Sequence, residues 1–88
     1  MINLTETIEA RLASFQPISL DIKDDSAMHA GHAGNTGGGH FTVKIVSSQF
    51  SQKSQIIRHR LIYQALADLI PQQIHALSIL AISPDDPN

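Results

Sequence analysis

Cysteine is absent from this sequence of 88 residues, and its absence sets the first limits on the chemistry of the chain. Without thiols the chain forms no disulfide and offers no thiolate, so any metal must be held by histidine or carboxylate side chains. The sequence contains five histidines and eight acidic residues. Histidine is therefore the residue type to follow through the sequence.

Long apolar runs, basic charge and aromatic residues are also scarce. No apolar stretch is long enough to span a bilayer, and no basic start precedes an apolar run, so we expect a soluble cytoplasmic protein without a signal peptide. A formal net charge of −2 argues against a general nucleic-acid binder, which needs clustered lysine and arginine. Three Phe and one Tyr in a composition that is 42% hydrophobic indicate an aliphatic core in one small domain.

Two segments have the periodicity of amphipathic helices. The first begins at Asn3, which forms a capping-box pattern with Glu6, and continues at helical spacing until Pro17. The second extends from Gln55 to Ile70, where a following proline ends it. Its predicted buried stripe contains Ile57, Leu61, Ile62, Ala65, Leu66, Leu69 and Ile70, and its predicted solvent face contains Arg58, His59, Arg60, Tyr63, Gln64 and Asp68.

Three segments have the patterns of strands. Alternating apolar and polar residues predict strands over 18–23 and 41–46, and the apolar run 74–82 predicts a buried third strand. This order predicts a single α/β domain with both helices on one face of a three-stranded mixed sheet, and an extra helical turn near 51–55. We assign residues 1–83 to the domain and 84–88 to a disordered tail. The predicted core contains Leu12, Phe15, Leu20, Ile22, Phe41, Val43, Ile45, Leu61, Ala65, Leu66, Leu77 and Ile79.

A long glycine-rich loop joins the first two predicted strands. The segment 26–39 holds all five glycines and carries His29 and His32, with His40 directly after it. Connections of this length are unusual between paired strands and are often functional. If the first two strands are antiparallel and the second helix is a crossover, His75 lies at the same sheet edge as this loop. His75 is then either a metal ligand or a core-edge residue hydrogen-bonded to the backbone.

Five stretches of the sequence together resemble the BolA family. They are Ser26-x-x-His29-Ala-Gly-His32, His40-Phe41-x-Val43-x-Ile45-Val46-Ser47, x-x-Phe50, Arg58-His59-Arg60-Leu61-Ile62-Tyr63 and Ile74-His75-Ala76-Leu77-Ser78. The resemblance spans nearly the whole chain and implies a type II KH-like fold, in agreement with the predicted element order. It also implies a heterodimer with a monothiol glutaredoxin, in which a [2Fe-2S] cluster is shared with glutathione.

The same resemblance implies which residues of this chain bind the cluster. They are His29 in the loop and His75 at the start of the third strand, with His32 as the alternative loop ligand. Imidazole replaces thiolate at one iron of Rieske clusters, so these residue types are compatible with the role. The implied function is iron–sulfur trafficking or iron regulation, by a chain that is a monomer or weak homodimer alone. A histidine-rich carrier of zinc or nickel is a further alternative.

The basic triplet at the start of the second helix has three interpretations. Cations near a helix N-terminus are opposed by the dipole, so the triplet needs a specific reason. An arginine could pair within the chain, bind a protein partner or glutathione carboxylates, or contact a nucleic acid. The candidate partners within the chain are Asp24, Asp25 and Asp68, and the candidate outside contacts are Lys53, Arg58, His59 and Arg60.

A nucleic-acid-binding transcriptional regulator is the alternative function. KH domains clamp a nucleic-acid backbone with a Gly-x-x-Gly loop between two helices. Gly31-His-Ala-Gly34 has that spacing but lies between strands, and the segment Phe50-Ser-Gln-Lys-Ser54 before the second helix contains no glycine. No nucleophile–base pattern or carboxylate pair indicates an enzyme, so we expect a binding function.

Overall fold

The computed structural model describes residues 3–25 and 39–87. In these parts of the chain, two α-helices pack on one face of a three-stranded sheet, as the sequence predicted. A bilayer-spanning helix is not found among the described residues. The elements are α1 (Leu4–Leu12), β1 (Ser19–Asp24), β2 (Gly39–Val46), α2 (Gln55–Ala65) and β3 (Ile74–Ile82), with 3₁₀ turns at Ala13–Phe15, Ser48–Phe50 and Ala67–Leu69.

β2 lies at the centre of the described sheet, between β1 and β3. β1 is antiparallel to β2, with Ser19 opposite Val46 and Asp24 opposite Phe41. β3 is parallel to β2, so α2 belongs to a crossover connection. This arrangement confirms the predicted mixed sheet. It also places the start of β3 at the sheet edge where β1 ends and β2 begins.

β3 is an edge strand and is only half-buried. Its side chains alternate between the core and the opposite side of the sheet, where Leu80 is 50% exposed. The prediction that β3 is buried on both faces was therefore wrong. A continuous apolar run is typical of strands covered on both sides, but here the described helices cover one side.

The hydrophobic core lies between the helices and one face of the sheet. Val43 and Ile45 on β2 are fully buried, while Lys44 between them is exposed. This alternation is the pattern of a sheet with one solvated face. The core contains Ile8, Leu12, Phe41, Val43, Ile45, Phe50, Ile62, Leu66, Leu69, Ile74 and Ala81. The predicted core residues Phe15, Leu20, Ile22, Ala65, Leu77 and Ile79 are partly buried against it.

Two details of the predicted core need correction. Leu61 is half-buried and lies outside the core cluster, while the next residue, Ile62, is fully buried. Phe50 is also fully buried, and its ring centroid lies 5.3 Å from that of Phe15. Phe50 ends the 3₁₀ turn Ser48–Phe50, so the extra helical turn lies just before the predicted segment 51–55.

α1 begins and ends as its sequence pattern predicted. Oδ1 of Asn3 accepts a hydrogen bond from the N–H of Glu6 at 2.8 Å, which satisfies a free donor at the helix N-terminus. After the 3₁₀ turn, Gln16 has a φ of 50°, in the left-handed region, and ends the helical segment before Pro17.

α2 is shorter than predicted, and its faces are assigned differently. The Ser54 hydroxyl caps it by accepting a hydrogen bond from the N–H of Ile57 at 3.2 Å. The regular helix stops at Ala65 rather than Ile70, because the next residue leaves helical geometry at φ −113° and ψ 9°. Ile57 was assigned to the buried stripe but is 38% exposed. Arg58 was assigned to the solvent face but is buried, with 3% of its surface exposed.

Candidate metal site and partner surface

His75 occupies an irregular position at the start of β3. Gly39 on β2 pairs with Ile74, and the next residue of β2 pairs with Ala76. His75 is therefore an extra residue on β3, in a β-bulge that changes the regular alternation of side chains. Ile74 is 1% exposed in the core, whereas His75 is exposed. This exposure does not support the alternative that His75 is a core-edge residue.

The ring of His40 lies beside the ring of His75 at this edge of the sheet. The two ring centroids are 5.4 Å apart, and the ring planes are tilted by 44°. His40 is half-buried, and its carbonyl accepts a hydrogen bond from the N–H of Asp25 at 2.7 Å. Asp25 and Gly39 are the last and first described residues on either side of the glycine-rich loop. His75 therefore lies at the edge to which this loop is attached, as the topology predicted.

The second predicted ligand lies in the glycine-rich loop itself. Both candidates, His29 and His32, are outside the described residues. Within 3–25 and 39–87, no group of three or more His, Cys, Asp or Glu side chains is arranged to hold a metal ion. The choice between His29 and His32 stays a prediction.

Arg58 has a structural role instead of the predicted contact with an outside molecule. Its side chain is 4% exposed, and its Nη1 and Nη2 donate to the two carboxylate oxygens of Asp86 at 2.6 and 2.8 Å. Its Nε donates to the carbonyl of Lys53 at 2.9 Å, and Nη1 also donates to that of Ala81 at 3.0 Å. A guanidinium enclosed in this way has little surface to offer a partner or a nucleic acid.

Asp86 lies in the segment that the sequence assigned to a tail. Its carboxylate also accepts a hydrogen bond from the backbone N–H of Ser83 at 3.0 Å. The neighbouring Asp85 accepts hydrogen bonds from the hydroxyls of Ser83 and Ser51, the second at 2.6 Å. Residues 83–86 therefore connect the end of β3 with the segment that precedes α2.

These contacts decide among the partners considered for the basic triplet. An arginine does pair within the chain, but Arg58 pairs with Asp86. Asp68 pairs instead with Arg11 of α1, through hydrogen bonds of 2.5 and 2.8 Å. Asp25 lies 3.7 Å from the amine of Lys23.

Hydrogen bonds near the start of α2 lower the pKa values of Asp85 and Asp86. The hydrogen bonds from Arg58, followed by that from the backbone N–H of Ser83, lower the pKa of Asp86 from 3.8 to about 2. The hydroxyls of Ser51 and Ser83 lower the pKa of Asp85. Both carboxylates are therefore charged at neutral pH, and Asp86 balances the charge of Arg58.

The other predicted contact residues lie near the start of α2. Arg60 is exposed and forms no ion pair with any described residue. Lys53 is exposed, and its amine donates to a backbone carbonyl at 2.8 Å. His59 is half-buried. Because Ala81 lies next to this end of α2, six strand residues, or roughly 20 Å, separate these contacts from His75. The structure does not bring the two groups together.

Known proteins share both this fold and this sequence pattern. The BolA family model, described as BolA-like protein, matches residues 12–86. A chloroplastic protein of Arabidopsis thaliana, Protein BOLA1, is 43% identical over 75 residues, which cover 81% of this chain and 47% of the relative. The solved structure of BolA1 from Arabidopsis thaliana superposes with a TM-score of 0.83 and 37% identity, covering 99% of each chain. The chain belongs to the BolA-like family.

A bacterial relative carries a different kind of name. The DNA-binding transcriptional regulator BolA of Escherichia coli is 39% identical over 77 residues, which cover 86% of this chain and 71% of the relative. The chain spans less than half the length of the curated plant relatives that it matches. The family therefore includes longer proteins, of which this chain matches only a part.

Proposed function

We propose that this chain is a partner of monothiol glutaredoxins and contributes histidine ligands to a shared [2Fe-2S] cluster, in iron–sulfur trafficking or iron regulation. The exposed imidazole of His75 carries the proposal. The bulge frees it from the strand ladder, and the buried Ile74 beside it anchors the backbone. The loop with His29 and His32 is attached at the same edge, so one of these histidines is the proposed second ligand.

The donor atoms of this chain fit such a cluster only in part. A [2Fe-2S] cluster has four terminal ligand positions, and histidines occupy two of them in Rieske centres. His75 and one loop histidine supply two nitrogens, and this chain has no cysteine for the rest. The thiolates of a glutaredoxin and of glutathione are the proposed remaining ligands. The ring of His40, beside that of His75, limits the orientations that His75 can adopt.

The proposal is tested by mixing the purified chain with a cluster-loaded monothiol glutaredoxin. Mass measured by light scattering is expected to change from a glutaredoxin homodimer to a one-to-one complex, and visible circular dichroism is expected to change with it. A matched sample with cluster-free glutaredoxin shows which changes require the cluster. If neither mass nor spectrum changes, the proposal is wrong.

Nucleic-acid binding is the second candidate function. It is favoured by the Escherichia coli relative named a DNA-binding transcriptional regulator and by the exposed Arg60 and Lys53 at the start of α2. Specific binding is expected to weaken as salt rises, with a slope set by the number of phosphates contacted. Titration with duplex DNA and with RNA at two salt concentrations, using Arg60→Ala as the comparison, separates this function from the first.

A further inference from the structure

The outer side of β3 carries backbone groups that no described strand pairs with. β3 is at the edge of the described sheet, and the carbonyl of Ile82 accepts a hydrogen bond from Ser47 on the β2 side at 2.9 Å. Successive residues of a strand direct their N–H and C=O groups to opposite sides. Counting back from Ile82, the outward-facing residues are Ala81, Ile79 and Leu77.

Side chains of α2 cover two of these three positions. The hydroxyl of Tyr63 donates to the carbonyl of Leu77 at 3.3 Å. The side-chain amide of Gln55 donates to the carbonyl of Ala81 at 3.4 Å, and Arg58 donates to the same carbonyl at 3.0 Å. Unpaired backbone groups on an edge strand are a template for another strand. α2 therefore occupies acceptors that a second strand would need.

The spacing of the two elements places His59 over the third position. Gln55, His59 and Tyr63 follow each other at steps of four residues, about 6 Å along a helix. The outward residues of β3 follow at steps of two, about 6.6 Å along a strand. Gln55 contacts Ala81 and Tyr63 contacts Leu77. Because His59 lies midway between Gln55 and Tyr63, this spacing places it opposite Ile79. His59 is half-buried, as this position requires.

We propose that Gln55, His59 and Tyr63 form an edge guard, a polar stripe that prevents β3 from pairing with β3 of a second copy of this chain. A second copy of this chain is the partner that would fit this edge, because the outward-facing residues Leu77 and Ala81 lie two positions on either side of Ile79. Two antiparallel β3 strands related by a twofold axis would pair Ile79 with its equivalent and Leu77 with Ala81. The edge guard keeps the isolated chain monomeric.

The edge guard is tested by removing it and measuring self-association by sedimentation velocity. Gln55→Ala with Tyr63→Phe removes two donors while the Tyr63 ring position keeps its packing. The carbonyl of Ala81 can accept two hydrogen bonds, so the loss of Gln55 frees one acceptor position although Arg58 stays bonded. His59→Ala is then added. The wild-type chain is expected to be monomeric, and both variants to dimerise at least about tenfold more tightly. Hydrogen exchange at the amide of Ile79 is expected to slow in the dimer, because that N–H becomes bonded.

Two further changes separate edge pairing from a general loss of stability. Gln64→Ala with Gln72→Ala alters two exposed residues outside the edge guard and is expected to stay monomeric. Ile79→Pro, added to the triple variant, removes an N–H that is not bonded to β2 and is expected to abolish the dimer.

The proposal is overturned if the folded Gln55→Ala, Tyr63→Phe variant stays monomeric at all concentrations. The proposal is also overturned if the variants associate but hydrogen exchange at the amide of Ile79 does not slow. If the triple variant does not fold, the double variant decides the result. None of these measurements involves a cluster, so they are independent of the glutaredoxin proposal.

Discussion

Arg58 and Asp86 are 28 residues apart in sequence and form a two-pronged ion pair with N–O distances of 2.6 and 2.8 Å. The guanidinium is buried beneath this contact, whereas 27% of the Asp86 side chain is exposed. The pair attaches the segment after β3 to α2. Asp86 lies three residues beyond the predicted domain boundary at Ser83, and its contact with Arg58 joins it to the folded domain.

Replacing Asp86 should destabilise the fold more than replacing a surface carboxylate. Asp86→Asn leaves the buried Arg58 without its counter-ion, and removal of one partner of a buried pair is strongly destabilising. We expect the melting temperature to fall by roughly 10 °C. Asp68→Asn is the matched control, because Asp68 also pairs with an arginine but its side chain is 63% exposed. If the two substitutions lowered the melting temperature in thermal unfolding by the same amount, the structural role of Arg58 would be contradicted.

The contribution of Asp86 to stability should disappear in acid. Its pKa is lowered from 3.8 to about 2 in the folded state, so the folded state favours the charged form. The stabilisation is complete above about pH 4 and is lost as the pH falls towards 2. Urea unfolding of the wild-type chain and Asp86→Asn between pH 6 and about pH 2 checks this. The two midpoints should converge in acid, and a constant difference would exclude the assigned ionisation.

Phe50 should be one of the most sensitive core positions. It is fully buried in a short 3₁₀ turn, and its ring packs against Phe15. Phe50→Ala should lower the free energy of unfolding by about 3 to 5 kcal/mol. Ile56→Ala is the control, because Ile56 is 72% exposed and should change it by no more than about 0.5 kcal/mol. Denaturant unfolding measures both values.

If the proposed function is correct, His75 and His59 should behave differently. His75→Ala should leave the domain folded, because His75 is exposed and outside the core. Its affinity for the shared cluster should fall by more than about 100-fold, since even outer-shell changes cost about 10- to 100-fold. His59→Ala should keep the cluster spectrum of the complex. A wild-type cluster spectrum and affinity for His75→Ala would exclude the metal site.

The two loop histidines give a graded version of this test. Loss of His29 should weaken cluster binding less than loss of His75, because His32 can substitute from the same loop. Replacing both loop histidines should then match the loss of His75. Absorption spectra during cluster uptake, with light scattering for the mass, distinguish these cases. If His32→Ala alone abolishes binding, the preferred assignment of His29 is wrong.

The sequence predicted the arrangement of elements well because that arrangement depends on local patterns. Apolar periodicity located the helices and strands of the described residues, and the interpretation of the second helix as a crossover connection gave the direction of β3. These two rules were sufficient to place His75 at the edge where the glycine-rich loop is attached. That result needed no contact between particular side chains.

The details that the sequence did not predict depend on contacts between distant residues. Helical periodicity assigned Arg58 to solvent, because it cannot show that Asp86 lies within reach of a long side chain. The acidic residues between two prolines near the end of the chain were typical of a tail. The bulge at His75 was also missed, because counting alternate residues along one strand gives no information about the register of its neighbour.

The bulge has a consequence for how this position can change in evolution. His75 has no partner across the β2–β3 ladder and contributes nothing to the core, so its side chain can be exchanged at little cost in stability. A side chain of different chemistry, such as a thiol or a carboxylate, could replace the imidazole there while the buried Ile74 keeps the backbone in place. At this single residue, the chemistry of an exposed side chain can thus change without a change in the packing of the core.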